Sequence, residues 1–146
     1  MLVEHVSANG IRDQVWIARN SAGQTCQDVR TVGPDGQEDG AVGCESKRPA
    51  NYPKPPTEKF SGGLSAAGRP WPSLTYEVVA HTTLPAITRI DLVYPDGQSY
   101  ALTVNPANGW AIGVVPPKVT SMSSTLVGRD KRGAIVAIKR LAPTSG

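Results

Sequence analysis

Two histidines and two cysteines are the residues of this chain with the widest chemical range, and their spacing offers little of it. Hydrolysis or group transfer near neutral pH needs a base placed beside a nucleophile, and histidine is the usual base. His5 lies in what reads as a loose N-terminus. His81 ends the apolar run TYEVVAH, just before a Thr-Thr pair, and reads as a partly exposed histidine at a strand end. The stretch Gly63-Leu64-Ser65-Ala66-Ala67 has the outline of a nucleophile elbow but lacks the final glycine and the strand and helix that make such a turn reactive. No phosphate loop, dinucleotide fingerprint, H-E-x-x-H or calcium loop occurs. A metal site would have to gather Cys26, Cys44 and both histidines from remote positions. Carboxylates are scattered, with no pair marked out for glycoside chemistry. The expectation is a non-enzymatic chain with no catalytic residue, no metal and no cofactor.

Cys26 and Cys44 match neither a redox C-x-x-C pair nor a zinc knuckle. They can pair with each other or remain two separate thiols. The polar, glycine-rich residues between them favour the bond, because a segment with little apolar surface gains most from a cross-link, worth ~3 kcal/mol in the chain-entropy model.

Two groups of side chains could meet a partner. Tyr52, Phe60 and Trp71 stand among clustered prolines and glycines, and an aromatic outside a regular strand either packs down on the core or meets a ligand. Arg129, Lys131, Arg132, Lys139 and Arg140 surround the last turn signal and could follow phosphates. No aromatic interrupts that stripe to stack on bases, so its simpler role is to guard an edge hairpin against aggregation. The C-terminal Leu141-Ala142-Pro143-Thr144-Ser145-Gly146 approaches a sorting signal but is broken by Ser145 and has no apolar tail after it.

The elements that must position these residues are strands. With 39% hydrophobic residues, one Phe, two Met, 15 Gly and 13 Pro, the chain is poor in helix formers and rich in turn formers. Residues 87–115 read as a meander. A three-residue loop at Pro95-Asp96-Gly97 sets Leu92 against Tyr100, Ile90 against Leu102 and Thr88 against Val104. Closing the next hairpin over residues 105–109 sets Val104 against Trp110, Leu102 against Ile112 and Tyr100 against Val114. Arg89, Asp91, Thr103 and Gly113 then share the opposite face, and Trp110 is core. Upstream, residues 13–19 and 24–30 form a hairpin through Asn20-Ser21-Ala22-Gly23, pairing Val15 with Val29 and Ala18 with Cys26 and burying Trp16. Residues 37–43 lack apolar alternation and read as a loop. Residues 75–81 form a strand, and residues 119–127 with 134–141 form a final hairpin over Asp130-Lys131-Arg132-Gly133, setting Leu126 against Ile138.

This grammar divides the chain into an N-terminal hairpin region, 1–44, a Pro/Gly-rich irregular loop or linker, 45–73, and the main sandwich portion, 74–146, all within one compact domain. The number and spacing of strands suit a two-layer sandwich. A net charge of +3 and a pI near 9.0 are a mild basic bias. No apolar run approaches the ~20 residues of a membrane span, and MLVEHVSANG has neither the basic nor the apolar region of an export leader, so membrane attachment would need an anchor outside this chain.

The run from Pro85 to Leu92, the Asp96-Gly97 turn, Val104 to Trp110, Val119, and Asp130 with Gly133 resembles the Ig-like β-sandwich ectodomains of uncharacterised bacterial envelope proteins of the actinobacterial type. Trp16, Cys26 and Gly43-Cys44 are similar to a small Cys-containing hairpin that precedes the sandwich in some of them. The resemblance implies an Ig-like antiparallel sandwich. It also implies an extracytoplasmic or secreted binding or structural module, whose partner is another protein or an envelope polymer. Two alternatives fit the same composition: a basic β-domain binding nucleic acid or another anionic polymer, and a phage virion or tail structural protein.

Overall fold

The computed structural model describes residues 1–44, 59–67, 75–116 and 124–141. Among the described residues, twelve strands form three antiparallel four-stranded sheets and no helix occurs. The first sheet takes β1 (Val3–Val6), β2 (Arg12–Arg19), β3 (Thr25–Val32) and β4 (Glu38–Cys44) in chain order. The second sheet has the order β5 (Phe60–Ala67), β6 (Thr75–Thr82), β10 (Trp110–Val115), β9 (Thr103–Val104). The third has the order β12 (Ile135–Arg140), β11 (Thr125–Arg129), β7 (Arg89–Val93), β8 (Ser99–Ala101). The second and third sheets make the expected sandwich, and the first adds a layer to it.

Alternation along β6 and β10 explains the layering. Val78, Ala80, Ala111 and Val115 point to the third sheet and join Ile90, Leu92, Leu102 and Leu126 in the main core. Ile112 points the other way and packs with Val3 and Val15 of the first sheet, with Val29, Val79 and Trp110 around them. Strands buried on both faces read as continuous apolar runs, which is the pattern of WAIGVV.

That double burial corrects the meander. Leu92 opposes Tyr100, as the Pro-Asp-Gly loop requires, and Leu102 N–H donates to Ile90 O at 2.8 Å. The strand then breaks at Leu102 and its continuation changes sheets, so Thr88 does not meet Val104; Thr88 N–H donates instead to Arg129 O. In the second sheet Val104 opposes Ala111 and Thr103 opposes Ile112, one residue away from the expected register, so Val104–Trp110, Leu102–Ile112 and Tyr100–Val114 are not pairs. The loop is four residues rather than five: Asn105 N–H donates to Trp110 O at 2.8 Å, and Gly109 N–H to Asn105 O at 2.9 Å. Gly109 sits at φ +72°, and a Cβ there would collide with Thr82 O. A one-residue slip reverses every side chain. Gly113 therefore faces the third sheet, where a Cβ would meet Leu102 Cδ2, while Thr103 faces the first sheet and stands 2.9 Å from His5 Nδ1.

The first sheet follows the expected hairpin register, Val15 opposite Val29 and Ala18 opposite Cys26. Its edges differ from expectation. Residues 3–6 form β1, so His5 is in a strand, and residues 38–44 form β4, although every side chain of β4 is exposed. The Gly33-Pro34-Asp35-Gly36 turn starts that strand and the backbone ladder to β3 carries it without an apolar face. Trp16 lies on the outer face, half-buried, its Nε1–H donating to Gln14 Oε1 and the Arg30 guanidinium 5.9 Å from its ring centre. Within the segment expected to be irregular, Phe60–Ala67 is β5, paired along its length with β6. Its glycines hid it: Gly62 is pressed against Leu126, where a Cβ would clash with Leu126 Cδ1. In the last hairpin the three-residue loop forms, but a bulge at Val136 shifts the pairs beyond it, so Leu126 opposes Lys139 and Val127 opposes Ile138.

Tyr94 closes the sandwich beside Tyr100, ring centres 5.7 Å apart and edge to face, and its hydroxyl donates to Pro116 O at 3.1 Å. Burial, then the neighbouring Tyr100, Tyr76 and Asp96, raises its pKa above the ordinary 10.0.

Two outcomes are expected. Ile112→Ala should cost about 2–5 kcal/mol in urea unfolding, because it opens a cavity between the first two sheets; a loss below about 0.5 kcal/mol would place Ile112 at a surface. Because Tyr94 stays neutral longer in the fold than in the unfolded chain, its contribution is whole below about pH 10 and declines as pH rises past it. Tyr94→Phe should lose about 1 kcal/mol at pH 7 but show a shallower alkaline decline in melting experiments.

Candidate functional site

The first and second sheets are not parallel plates. They pack closely where β1 and β2 lie over β9 and β10, and they part toward β4 and β5. The parting leaves a cleft of about 430 Å³ between Gln27 and Val29 of β3 on one side and Ser61, Val79, His81 and Trp110 of the second sheet on the other. Register places these residues. Ser61 and Trp110 both oppose His81, on its two sides, so all three point into the cleft in one row. The His81 and Trp110 rings stand 4.6 Å apart at 35°. Gly63, opposite Val79, follows on the next row, and a Cβ there would meet nothing within 4 Å. Gly43 opposes Gln27 on the facing sheet with the same free space. The missing side chain at Gly63 keeps the cleft open on the second-sheet wall.

Polar groups stand at both ends of this inter-sheet space, and Val15, Val29, Val79 and Ile112 fill its middle. At the far end the Thr31 hydroxyl lies 2.8 Å from Asp13 Oδ1 and 3.2 Å from Glu77 Oε2, joining the two sheets through buried groups. A second hollow of about 310 Å³ lies on the loop side of His81, between residues 82–88 and residues 106–109. His81 borders both.

In chemical terms the cleft has an apolar, stackable wall and a few hydrogen-bonding groups at its mouth, the composition of a binding site. Ser61 beside His81 places a hydroxyl next to an imidazole, but the nearest carboxylate on that face of β6 is Glu77, four residues along the strand and therefore about 13 Å away. No carboxylate of that strand orients the imidazole as a triad requires. Among the described residues, no group of three or more histidine, cysteine, aspartate or glutamate side chains is arranged to hold a metal ion.

The residues singled out from sequence are dispersed. Phe60 is buried in the main core and takes no part in a surface. Tyr52 and Trp71 lie outside the described residues. Arg129 is engaged within the third sheet, its Nε 3.3 Å from Asp91 Oδ2 and its Nη1 donating to Gly133 O. Lys131 and Arg132 are exposed on the turn, and Lys139 and Arg140 alternate across β12, so the five cations do not form one stripe. The cleft itself was missed. Its one signal was the Gly62-Gly63 pair, a glycine doublet that suits a strand only where something approaches closely or space must be kept.

Cys26 and Cys44 are directly opposite on β3 and β4 and joined by a disulfide. Gly33 N–H donates to Gln37 O, and alternation from that pair makes Cys26–Cys44 a non-hydrogen-bonded position, where facing strands come closest. The Cα atoms are 3.9 Å apart. Such bonds persist in oxidising compartments, which points outside the cytoplasm. No helix among the described residues is long and apolar enough to cross a membrane.

Reduction should lower stability by about 3 kcal/mol in urea titrations with and without a thiol reductant, with β4 amides losing hydrogen-exchange protection first. Equal midpoints would show that the ladder alone holds β4. Comparison with protein-family models, with curated proteins and with solved structures gave no match, so the reading of this site rests on its own geometry.

Proposed function

We propose that this chain is a non-enzymatic binding module of the bacterial envelope, working outside the cytoplasm, and that its ligand enters the cleft between the first and second sheets. The observation that carries the reading is the cleft's construction. Gly63 leaves one wall bare, while His81 and Trp110 stack to present a flat face beside Ser61 and Gln27. A sheet face loses buried apolar area when its partner sheet stands away from it, and that loss is useful where a ligand restores it. The disulfide supports the compartment: it secures β4, a strand with no apolar face of its own, on the rim of this opening.

The ligand class best matched to an open cleft with a stacking wall and uncharged hydrogen-bonding groups is a neutral segment of an envelope polymer. Sugar rings and extended backbone both offer an apolar face edged with polar groups. The five cations named above are not gathered at the cleft, so binding is expected to survive salt that would screen phosphate contacts.

Cosedimentation with purified, insoluble cell-wall material tests this. Wild-type protein should pellet at low salt and at roughly 0.5 M salt alike. Gly63→Leu, a change the folded backbone accommodates because nothing lies within 4 Å of the new Cβ, should reduce retention at least tenfold. Lys131→Glu with Arg132→Glu should leave it unchanged. Absence of retention, retention unaffected by Gly63→Leu, or retention that vanishes with salt and with the turn variant would each overturn the proposal.

A further inference from the structure

The two outermost strands of the layered fold carry opposite charge. β4 closes one side of the first sheet, and no described strand pairs with its free edge. The segment from Gly33 to Cys44 contains Asp35, Glu38 and Asp39 and no lysine or arginine, with Glu38 3.4 Å from Arg30 Nη1 of β3. β12 closes one side of the third sheet in the same way. The segment from Asp130 to Leu141 contains Lys131, Arg132, Lys139 and Arg140 against Asp130 alone. Both edges also expose large apolar side chains, Val42 at 65% on β4 and Ile135 at 54% and Ile138 at 59% on β12. Unpaired backbone and exposed β-branched residues make an edge able to accept another strand, while the cations and the bulge of β12 deter pairing with a like edge.

The backbone parity of the two edges agrees. On β4, the Gly33-to-Gln37 bond sets the alternation, so Asp39, Ala41 and Gly43 turn their N–H groups to β3, while Glu38, Gly40 and Val42 turn theirs outward. On β12, Leu141 N–H donates to Ser124 O, so Lys139 and Ala137 turn inward and Ile138 and Arg140 outward. An antiparallel register that opposes Glu38 to Arg140 matches outward groups with outward groups. It also opposes Asp39 to Lys139 and Gly40 to Ile138, as far as the bulge at Val136. Acid meets base along this stretch, and both strands keep their existing ladders. A parallel docking, with Glu38 beside Ile135, loses this charge match.

We propose that β4 of one copy of this chain adds antiparallel to β12 of the next, joining the first sheet of one molecule to the third sheet of its neighbour. The interface is head-to-tail, so each molecule keeps one acidic and one basic edge free and the assembly grows as an open chain instead of closing as a dimer. This is independent of what the cleft binds, and it would line successive clefts along one array, where weak sites gain from repetition.

Proline substitutions at outward positions test it, because they remove a donor from the free edge without touching the ladder inside the sheet. Val42→Pro blocks β4 and leaves β12; Ile138→Pro blocks β12 and leaves β4. In sedimentation velocity up to roughly 0.5 mM, wild-type protein should show growing, salt-weakened association. Each variant alone should stay monomeric with an unchanged far-ultraviolet spectrum and melting temperature. The two mixed should form a 1:1 heterodimer that grows no further, since only one complementary pair of edges remains. Wild-type protein that stays monomeric, a mixture that stays monomeric, or a Val42→Pro protein that dimerises with itself through β12 would overturn the head-to-tail pairing. Arg140→Glu, which leaves both ladders intact, should weaken wild-type association several-fold, and no change would contradict the charge match.

Discussion

Everything in this fold turns on the burial of β6 and β10 on both faces. A two-layer sandwich needs one apolar face per sheet, and the second sheet supplies two. Val78, Ala80, Ala111 and Val115 close the core against the third sheet, and Ile112, with Val79 and Trp110, receives Val3 and Val15 from the first. Without the second contact the N-terminal four strands would expose Val3 and Val15 and keep little to hold them. Asn105 and Asn108 reinforce that contact by donating from their side-chain amides to Leu2 O at 2.8 and 2.9 Å, so the β9–β10 loop pins the start of the chain.

The same constraint separates what could be read from the sequence from what could not. Turns were legible, because Gly23, Gly97 and Gly133 each supply the left-handed residue of a three-residue loop at φ between 76° and 86°. The pairs next to those loops follow, Leu92 with Tyr100 and Val15 with Val29. Register beyond Asn105 was not legible. WAIGVV is apolar at nearly every position, so alternation cannot choose between registers one residue apart. The choice falls to Gly109 and to the break at Leu102. The bulge at Val136 was hidden for a related reason: in IVAI either of two neighbours can face outward. β4 and β5 left no signal because backbone pairing, a disulfide and close glycine packing hold them, none of which produces alternation.

The candidate site is a consequence of the layering rather than of a motif. A first sheet that covers only part of the second leaves a step, and the cleft is that step. His81 borders it because β6 runs out from under β3 just where Trp110 begins β10. The aromatics among the prolines looked like the natural partner surface, yet Phe60 is core and the stacking wall comes from Trp110, a residue whose apolar neighbours made it look wholly internal. The disulfide and the free edges belong to the same economy: β4 is retained as a strand at the rim, fastened covalently, with its outer hydrogen-bonding edge open.

The central claim is that β10 divides its side chains between two other sheets. Methyl-to-methyl nuclear Overhauser spectra of protein labelled at isoleucine, leucine and valine methyls test it most directly. The layered fold predicts strong cross-peaks from the Ile112 δ1 methyl to Val3 and Val15, and from Leu102 to Ile90 across the other core. Cross-peaks from Ile112 to Leu102 and Ile90, with none to Val3 or Val15, would restore the continuous meander and contradict the three-layer account.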